Sequence, residues 1–292
     1  MHEHSVMVGI FAEKLDSDPQ LRDAIELEAL GRYDRAHRAY CELVIRISPV
    51  RVEERNFCYK SAFNCLLQLG QWDLLLDEIG NQVTNHEQLW NDDWNLENLL
   101  PHYVHGNVLL VLADNEAGRE FYNMLQQWLH VPDRTKHIRQ QFGEQLTALY
   151  ISGQEMVRAR MFGEQTQRQF LDEWHCAGVL SGLVRTDCLL SVRKVIELLA
   201  YSDLLECTID RLEQATAGLI ASWQNAQPAL TDSLITWDTI IAYRRFLLAK
   251  LEAKCNVQEE CVPFQNNVST LSKLLYDLEL ELLEVAFEQN NI

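Results

Sequence analysis

Histidines at two places in the sequence are candidate zinc ligands, but neither place has a complete set of ligands. His86-Glu87 begins like the H-E-x-x-H motif of zinc proteases, yet Trp90 stands where the second histidine should be. His102 and His105 are three residues apart on a predicted helix and could share a face, while His137 is far along the chain. Because a zinc site uses at least three protein ligands, we interpret these residues as surface or core histidines and predict no metal site.

A serine and a pair of aspartates are the other candidates for chemistry. Ser181 lies in the segment Gly178–Gly182, but a nucleophile elbow needs its serine centred between two glycines, so a loop or helix break is the better interpretation. Asp92 and Asp93 lie in a tryptophan-rich segment and could bind a cation. Helix capping just before Leu96 explains them more simply. We therefore predict no catalytic residue.

The motifs of nucleotide binding and phosphoryl transfer are missing from the sequence. It contains no G-x-G-x-x-G, no G-x-x-x-x-G-K-[ST], no H-R-D-L-x-x-x-N and no D-F-G. Phosphoryl transfer needs a base and metal-holding carboxylates in such a frame. The sequence therefore predicts a chain that is not itself an enzyme and binds no cofactor.

The eight cysteines are scattered through helical patterns and show no C-x-x-C spacing. They are Cys41, Cys58, Cys65, Cys176, Cys188, Cys207, Cys255 and Cys261. Free cysteine packs as a small hydrophobic residue and is among the most buried types. We therefore predict reduced core residues rather than a zinc site or a disulfide framework.

The charge of the chain excludes several classes of partner. The 292 residues include 43 acidic and 25 basic side chains, and the formal net charge is −18. No stretch concentrates enough Lys and Arg to neutralise a run of phosphates, so we expect no direct binding to nucleic acid and none to an anionic membrane. No window reaches the roughly 18 apolar residues of a membrane span. These features predict a soluble intracellular protein.

A glycine followed two residues later by an aromatic residue marks two predicted helical hairpins. Gly31 ends a predicted helix over residues 20–30, and Tyr33 begins the next helix. Gly70 and Trp72 repeat this pattern 39 residues later. In the first hairpin, Ala36 is the small residue that lets two helices approach closely. Such units resemble tetratricopeptide repeats, although the ideal repeat is about 34 residues long.

Two more hairpins and four longer helices complete the predicted organisation. The hairpins span 104–129, turning at Asp114-Asn115, and 138–173, turning near Gly153-Gln154. The helices span 184–206, 209–224, 232–254 and 270–287, with Pro228 and Pro263 marking breaks. Segments 80–100 and 256–268 are the least regular and are predicted to be loops that make contacts.

These elements predict an all-α protein, an α-solenoid of divergent tetratricopeptide/HEAT-like hairpins. One region spans 1–292, with tetratricopeptide-like hairpins in 1–175 and longer helices in 176–292. Val6–Phe11 has the pattern of the second helix of a hairpin whose first helix would precede Met1. We therefore expect a region that is truncated at both ends.

Four stretches of the sequence share a pattern with one known protein family. They are Tyr33–Tyr40 (YDRAHRAY), Leu99–Tyr103 (LLPHY), Glu144–Tyr150 (EQLTALY) and Trp237–Glu252 (WDTIIAYRRFLLAKLE). The last is the most specific, with matches in order and spacing at Trp237, Asp238, Ile240, Ile241, Arg244, Phe246, Leu248, Lys250 and Glu252. The pattern resembles the FAT region, which precedes the kinase domain in phosphatidylinositol-3-kinase-related protein kinases.

This resemblance implies a role without chemistry of its own. It implies a regulatory segment of a large nuclear serine/threonine kinase that repairs double-strand breaks by non-homologous end joining. The kinase domain of the same parent protein, beyond Ile292, would be the direct partner, and Ku and DNA ends would be partners only through the parent complex. Trp237, Ile240, Ile241 and Leu248 share a helical stripe and are expected to pack in the core.

Two other functions are compatible with the same helical pattern. One is a free-standing tetratricopeptide-type adaptor that binds the tails of other proteins, although the inner faces offer mostly apolar and acidic side chains. The other is the FAT region of a family member without kinase activity, a pseudokinase coactivator scaffold. The sequence downstream of this segment would distinguish that alternative.

Overall fold

All regular structure in the described part of the chain is helical, as the sequence predicted. The computed structural model describes residues 19–83, 85–113, 116–178, 181–230, 232–257 and 262–288. The helices are α1 (Pro19–Ala29), α2 (Tyr33–Arg46), α3 (Val52–Gln68), α4 (Trp72–Gln82), α5 (Asp93–Asn98), α6 (Leu100–Leu112), α7 (Glu116–Trp128), α8 (Pro132–Gln141), α9 (Gly143–Ser152), α10 (Met156–Cys176), α11 (Gly182–Glu206), α12 (Ile209–Asn225), α13 (Leu234–Val257) and α14 (Val262–Glu288). The segment Val6–Phe11 lies outside the described residues.

The two predicted glycine turns end helices α1 and α3 with left-handed residues. Gly31 has a φ of 72° and Gly70 a φ of 64°. The amide of Gly31 donates to the carbonyl of Glu28, and the amide of Arg32 donates to Leu27. This bonding satisfies carbonyls at the helix end that would otherwise lack partners. The glycines therefore let α2 and α4 fold back after α1 and α3.

The first two hairpins share a continuous apolar core. Ala36 and Tyr40 are fully buried between α1, α2 and α3, as the sequence predicted for a close approach of helices. The hydroxyl of Tyr40 donates to the carboxylate of Glu28 at 2.6 Å. A phenol and a carboxylate are thereby paired at the edge of an apolar interface, where an unpaired polar group would be costly.

The third and fourth hairpins also form, with one correction. Helices α6 and α7 lie on either side of Asp114-Asn115, which is outside the described residues. The fourth hairpin was predicted to begin at Ile138, and this was wrong: Ile138 lies in the separate helix α8, and α9 begins after a break at Phe142. The turn between α9 and α10 was placed correctly, and its left-handed residue is Gln154, with a φ of 60°.

The two predicted loops are mostly helical, which is a further correction. Residues 80–100 contain the end of α4, a 3-10 helix over His86–Trp90 and helix α5. Leu89 is fully buried, which explains why this polar segment is ordered. In 256–268, α13 continues to Val257 and α14 starts at Val262, while residues 258–261 lie outside the described part.

The contacts within the chain divide it into two compact units, and each is discontinuous in sequence. Unit 1 contains residues 1–99, 230–238 and 280–292, and unit 2 contains 100–229 and 239–279. In unit 1, the indole of Trp72 donates to the carboxylate of Asp238. In unit 2, the core is built by α9, α10, α11 and α13. The helices that the structure describes include none long and apolar enough to cross a membrane.

Candidate functional site

The histidines considered from the sequence lie apart from any set of metal ligands in the described residues. His86 is exposed on the 3-10 helix. His102 and His105 share helix α6, and the ring of His105 contacts Gln145 through Nδ1 at 3.4 Å and Thr239 through Nε2 at 3.2 Å. Burial of its ring, and then the nearby charge of Lys194, lowers the pKa of His105 to about 3. His105 is therefore a neutral packing residue.

Asp92 caps a helix, as predicted for the aspartate pair, and Ser181 lies at a helix break; Asp93 is the first residue of α5. The carboxylate of Asp92 accepts a hydrogen bond from the amide of Trp94 at 3.1 Å and caps helix α5. Ser181 precedes the first residue of α11, and its amide donates to the carbonyl of Gly178. Both positions therefore organise helix ends, where polar side chains and backbone groups need partners.

The prediction that the cysteines are core residues is correct for only part of the set. Cys58, Cys65 and Cys188 are buried, as expected, and the described cysteines are not joined in disulfides. Cys41, Cys207 and Cys255 are half-buried, and Cys176 is exposed near the end of α10. Cys261 lies outside the described residues. The half-buried thiols lie close enough to the surface to bind a ligand from solvent. The side chains beside each thiol determine whether it can do so.

One half-buried thiol lies beside a histidine and a glutamate. His37 and Cys41 are one turn apart on α2, and Glu78 reaches them from α4. His37 Nε2 is 2.7 Å from Glu78 Oε1, and Cys41 Sγ is 3.5 Å from His37 Nε2 and 3.8 Å from Glu78 Oε1. We call these three residues the His37 cluster. It is the group of three potential metal ligands found among the described residues.

The histidine of this cluster is held in a polar but partly enclosed position. The side chains of His37 and Glu78 are 17% and 29% exposed. Hydrogen bonds to Cys41 and to Glu78 raise the pKa of His37 to about 9. Without another cation, the imidazole is therefore protonated at neutral pH and forms an ion pair with Glu78.

A separate set of hydrogen-bonded polar side chains is buried in unit 2. The guanidinium of Arg244 donates to Glu197 at 2.8 Å and to the carbonyl of Ala226 at 2.9 Å. It also lies over the ring of Trp223, with its Cζ 4.8 Å from the ring centroid. The hydroxyl of Tyr201 donates to the same Glu197 carboxylate. We call Glu197, Tyr201, Trp223 and Arg244 the Arg244 network.

A matching arrangement uses the neighbouring residue of α13. Tyr243 donates to Glu144 at 2.8 Å, and Lys194 forms an ion pair with the other oxygen of that carboxylate at 2.8 Å. Burial and the nearby charge of Glu144 raise the pKa of Tyr243 well above its ordinary value. Each buried carboxylate thus has one cation and one phenol as partners. These pairings fix α9, α11 and α13 in one register.

A groove runs between α11 and α12 in unit 2. Its volume is about 1180 Å³, and its walls combine apolar residues with arginines, including Arg160, Arg193, Ile196, Arg211 and Leu219. Arg160 is already paired with Asp203 and Glu206, at 2.9 and 2.5 Å. The groove has the size of a peptide or ligand site.

Sequence reasoning identified the packing role of Trp237, Ile240, Ile241 and Leu248, which are all buried. It missed the Arg244 network and the His37 cluster. The four-residue spacing of His37 and Cys41 was a visible signal, because residues at i and i+4 share a helix face. Glu78 was not visible, since only the fold brings α4 to that face. The charged Arg244 in an apolar stripe was the other available signal.

The fold defines the chain as an all-helical repeat protein. Comparison with known proteins shows which proteins the chain is similar to. No protein-family model matches the sequence. The chain is 25% identical to the DNA-dependent protein kinase catalytic subunit of Canis lupus familiaris over 263 residues, covering 86% of this chain and 6% of that protein. It is 22% identical to the Mus musculus protein of the same name over 320 residues, covering 99% of the chain and 8% of that protein.

A distant relative gives the same result. The Dictyostelium discoideum protein of that name is 21% identical over 265 residues and covers 86% of the chain. The chain is therefore homologous to a segment of DNA-dependent protein kinase catalytic subunits. It spans only 6 to 8% of the length of the dog and mouse relatives.

Proposed function

We propose that the chain is a non-catalytic regulatory and scaffold segment, corresponding to a FAT region, of a DNA-dependent protein kinase-like serine/threonine kinase. The observation that carries the proposal is the extent of the similarity, which runs along 86 to 99% of this chain in the kinase subunits of three organisms. The buried residues of α13, which contain the most family-like stretch, support a packing role. Such a segment would hold a neighbouring domain in place and favour one of its conformations.

The proposal extends to the process and the compartment. The parent kinase would act in repair of double-strand breaks by non-homologous end joining in the nucleus. The segment would contact the kinase domain of its parent protein directly, and would meet Ku and DNA ends only through the parent complex. The net charge of −18 supports the absence of direct contact with nucleic acid, since phosphate repels an acidic surface.

Affinity purification from the organism that encodes the chain tests this function. An affinity tag is placed on the chain at its own locus, and the purified material is identified by mass spectrometry with and without induced double-strand breaks. We expect peptides of a kinase domain, on the same or an associated polypeptide, together with Ku after damage. The absence of any such kinase domain, and a transcript that ends at the Ile292 codon, would contradict the proposal.

The same purification separates the alternatives. A free-standing adaptor would bind short acidic-tailed peptides with micromolar affinity and would copurify without a kinase domain. A coactivator scaffold would copurify with a kinase domain that lacks its catalytic aspartate and metal-binding residues. Either result would replace the repair function with the corresponding one.

A further inference from the structure

We propose that His37, Cys41 and Glu78 form a zinc site that fastens α2 to α4. The proposal is independent of the kinase relationship, because it depends only on side chains of unit 1. The three ligand atoms come from two helices and lie within 4.8 Å of one another. They are half-buried, so a metal ion could enter from solvent and then be partly shielded from it.

The distances between the ligand atoms are close to those of a tetrahedral zinc centre. With Zn–S of about 2.3 Å and Zn–N and Zn–O of about 2.0 Å, neighbouring sulfur and nitrogen or oxygen ligands are about 3.5 Å apart. Cys41 Sγ is 3.5 Å from His37 Nε2 and 3.8 Å from Glu78 Oε1, which fits this geometry. The imidazole and carboxylate are 2.7 Å apart and must separate by about half an ångström, which the side chain of Glu78 allows.

The chemistry of the donors selects the metal. A thiolate and an imidazole favour Zn²⁺ over Mg²⁺ and Ca²⁺, which prefer oxygen ligands. Binding requires that the imidazole and the thiol of Cys41 each release a proton, so zinc replaces the proton that His37 shares with Glu78. Three protein ligands leave a fourth position for water. The expected role is mechanical, since the ion joins the second helix of one hairpin to the second helix of the next.

Cobalt substitution tests the site in the full chain. Chelator-treated protein is titrated with Co²⁺, whose bond to a thiolate gives a charge-transfer absorption and whose tetrahedral complexes give visible bands. We expect saturation at one equivalent and loss of both signals when Zn²⁺ is added. Cys41→Ser should abolish the charge-transfer absorption, whereas Cys176→Ser, at an exposed thiol outside the cluster, should keep it.

A second variant and a folding control make the result decisive. Glu78→Gln should weaken Co²⁺ binding at least tenfold while retaining the charge-transfer absorption, because the thiolate remains. Zn²⁺ should raise the melting temperature of the wild-type chain and of Cys176→Ser, but not of Cys41→Ser. The proposal is overturned if the wild-type chain shows no charge-transfer absorption or if Cys41→Ser, with a native circular dichroism spectrum, retains it.

Discussion

Arg244 is the buried cation on which three other side chains of unit 2 depend. Arg244→Met would leave Glu197 buried without its ion-pair partner, and breaking a buried pair in this way costs about 3–5 kcal/mol. Urea unfolding should show this loss. The adjacent Arg245→Met is the matched control, because Arg245 is 66% exposed and its pair with Glu279 contributes less than about 1 kcal/mol. Equal losses in the two variants would contradict the buried pairing.

His105 predicts a dependence of stability on pH. Its folded-state pKa, about 3, lies below the ordinary value of 6.5, so the unfolded chain binds the proton more readily. The stability that the neutral ring contributes is present above the unfolded pKa and is lost as the pH falls toward the folded value.

His105→Gln should therefore make the chain less sensitive to acid. Between a pH of about 7 and a pH of about 5, the wild type should lose about 2 kcal/mol more than the variant. Denaturant unfolding at a series of pH values measures the difference, and His86→Gln, at an exposed histidine, should behave like the wild type. Parallel curves for the wild type and His105→Gln would show that the ring takes up its proton without unfolding.

At the scale of elements, the turn after α3 depends on a left-handed residue. Gly70→Ala should destabilise the chain by about 1 kcal/mol, because the φ of 64° is unfavourable for a residue with a Cβ although the space around it is open. Gly80→Ala is the matched control within α4, where the added Cβ also meets nothing and should stabilise the helix by about 0.5–1 kcal/mol. Thermal melting that moved both variants in the same direction would refute this assignment of the turn.

The contact between α9 and α10 depends on a different property of glycine. A Cβ at Gly143 would lie 1.9 Å from Thr166 Oγ1, so Gly143→Ala should destabilise by about 1–3 kcal/mol. Thr166→Ala removes that oxygen and should restore part of the loss in the double variant, which a double-mutant cycle measures. Additive losses would show that the alanine is accommodated elsewhere.

The turns and helix contacts show which features of the fold can be predicted from the sequence. Gly31 and Gly70 predicted the first turns correctly, because a left-handed helix end is a local property of the chain. The break at Phe142 was missed, although Gly143 follows it, since the need for a glycine comes from Thr166 on another helix. The His37 cluster was half visible for the same reason: spacing along α2 is local, and the position of α4 is not. The spacing of apolar residues along the sequence predicts where the helices lie. Which helices pack against each other is determined only by the whole fold.

At the scale of the whole molecule, apolar residues remain exposed on the last helix. Leu280, Leu283 and Phe287 recur at helical spacing on α14 and are 44%, 57% and 70% exposed. Contiguous apolar surface of this kind favours association. We expect the purified chain to form oligomers as its concentration rises.

Leu283→Glu combined with Phe287→Glu should reduce this association, as measured by sedimentation velocity over a range of concentrations. Val157→Glu provides the control, because Val157 is 80% exposed on α10, away from that helix in sequence. A wild-type chain that sediments as a monomer at every concentration would show that the apolar residues of α14 are not an association surface.

The discontinuity of the two units has a consequence for the order of folding during synthesis. Residues 1–99 emerge first, but unit 1 is complete only after residues 230–238 and 280–292 have also been made. Its bond between Trp72 and Asp238 joins positions that are 166 residues apart. Contacts so distant form late, because a long loop must close before they do. The first hairpins therefore form before unit 1 is complete, and a nascent chain interrupted before residue 230 should lack the bond that ties α4 to residue 238.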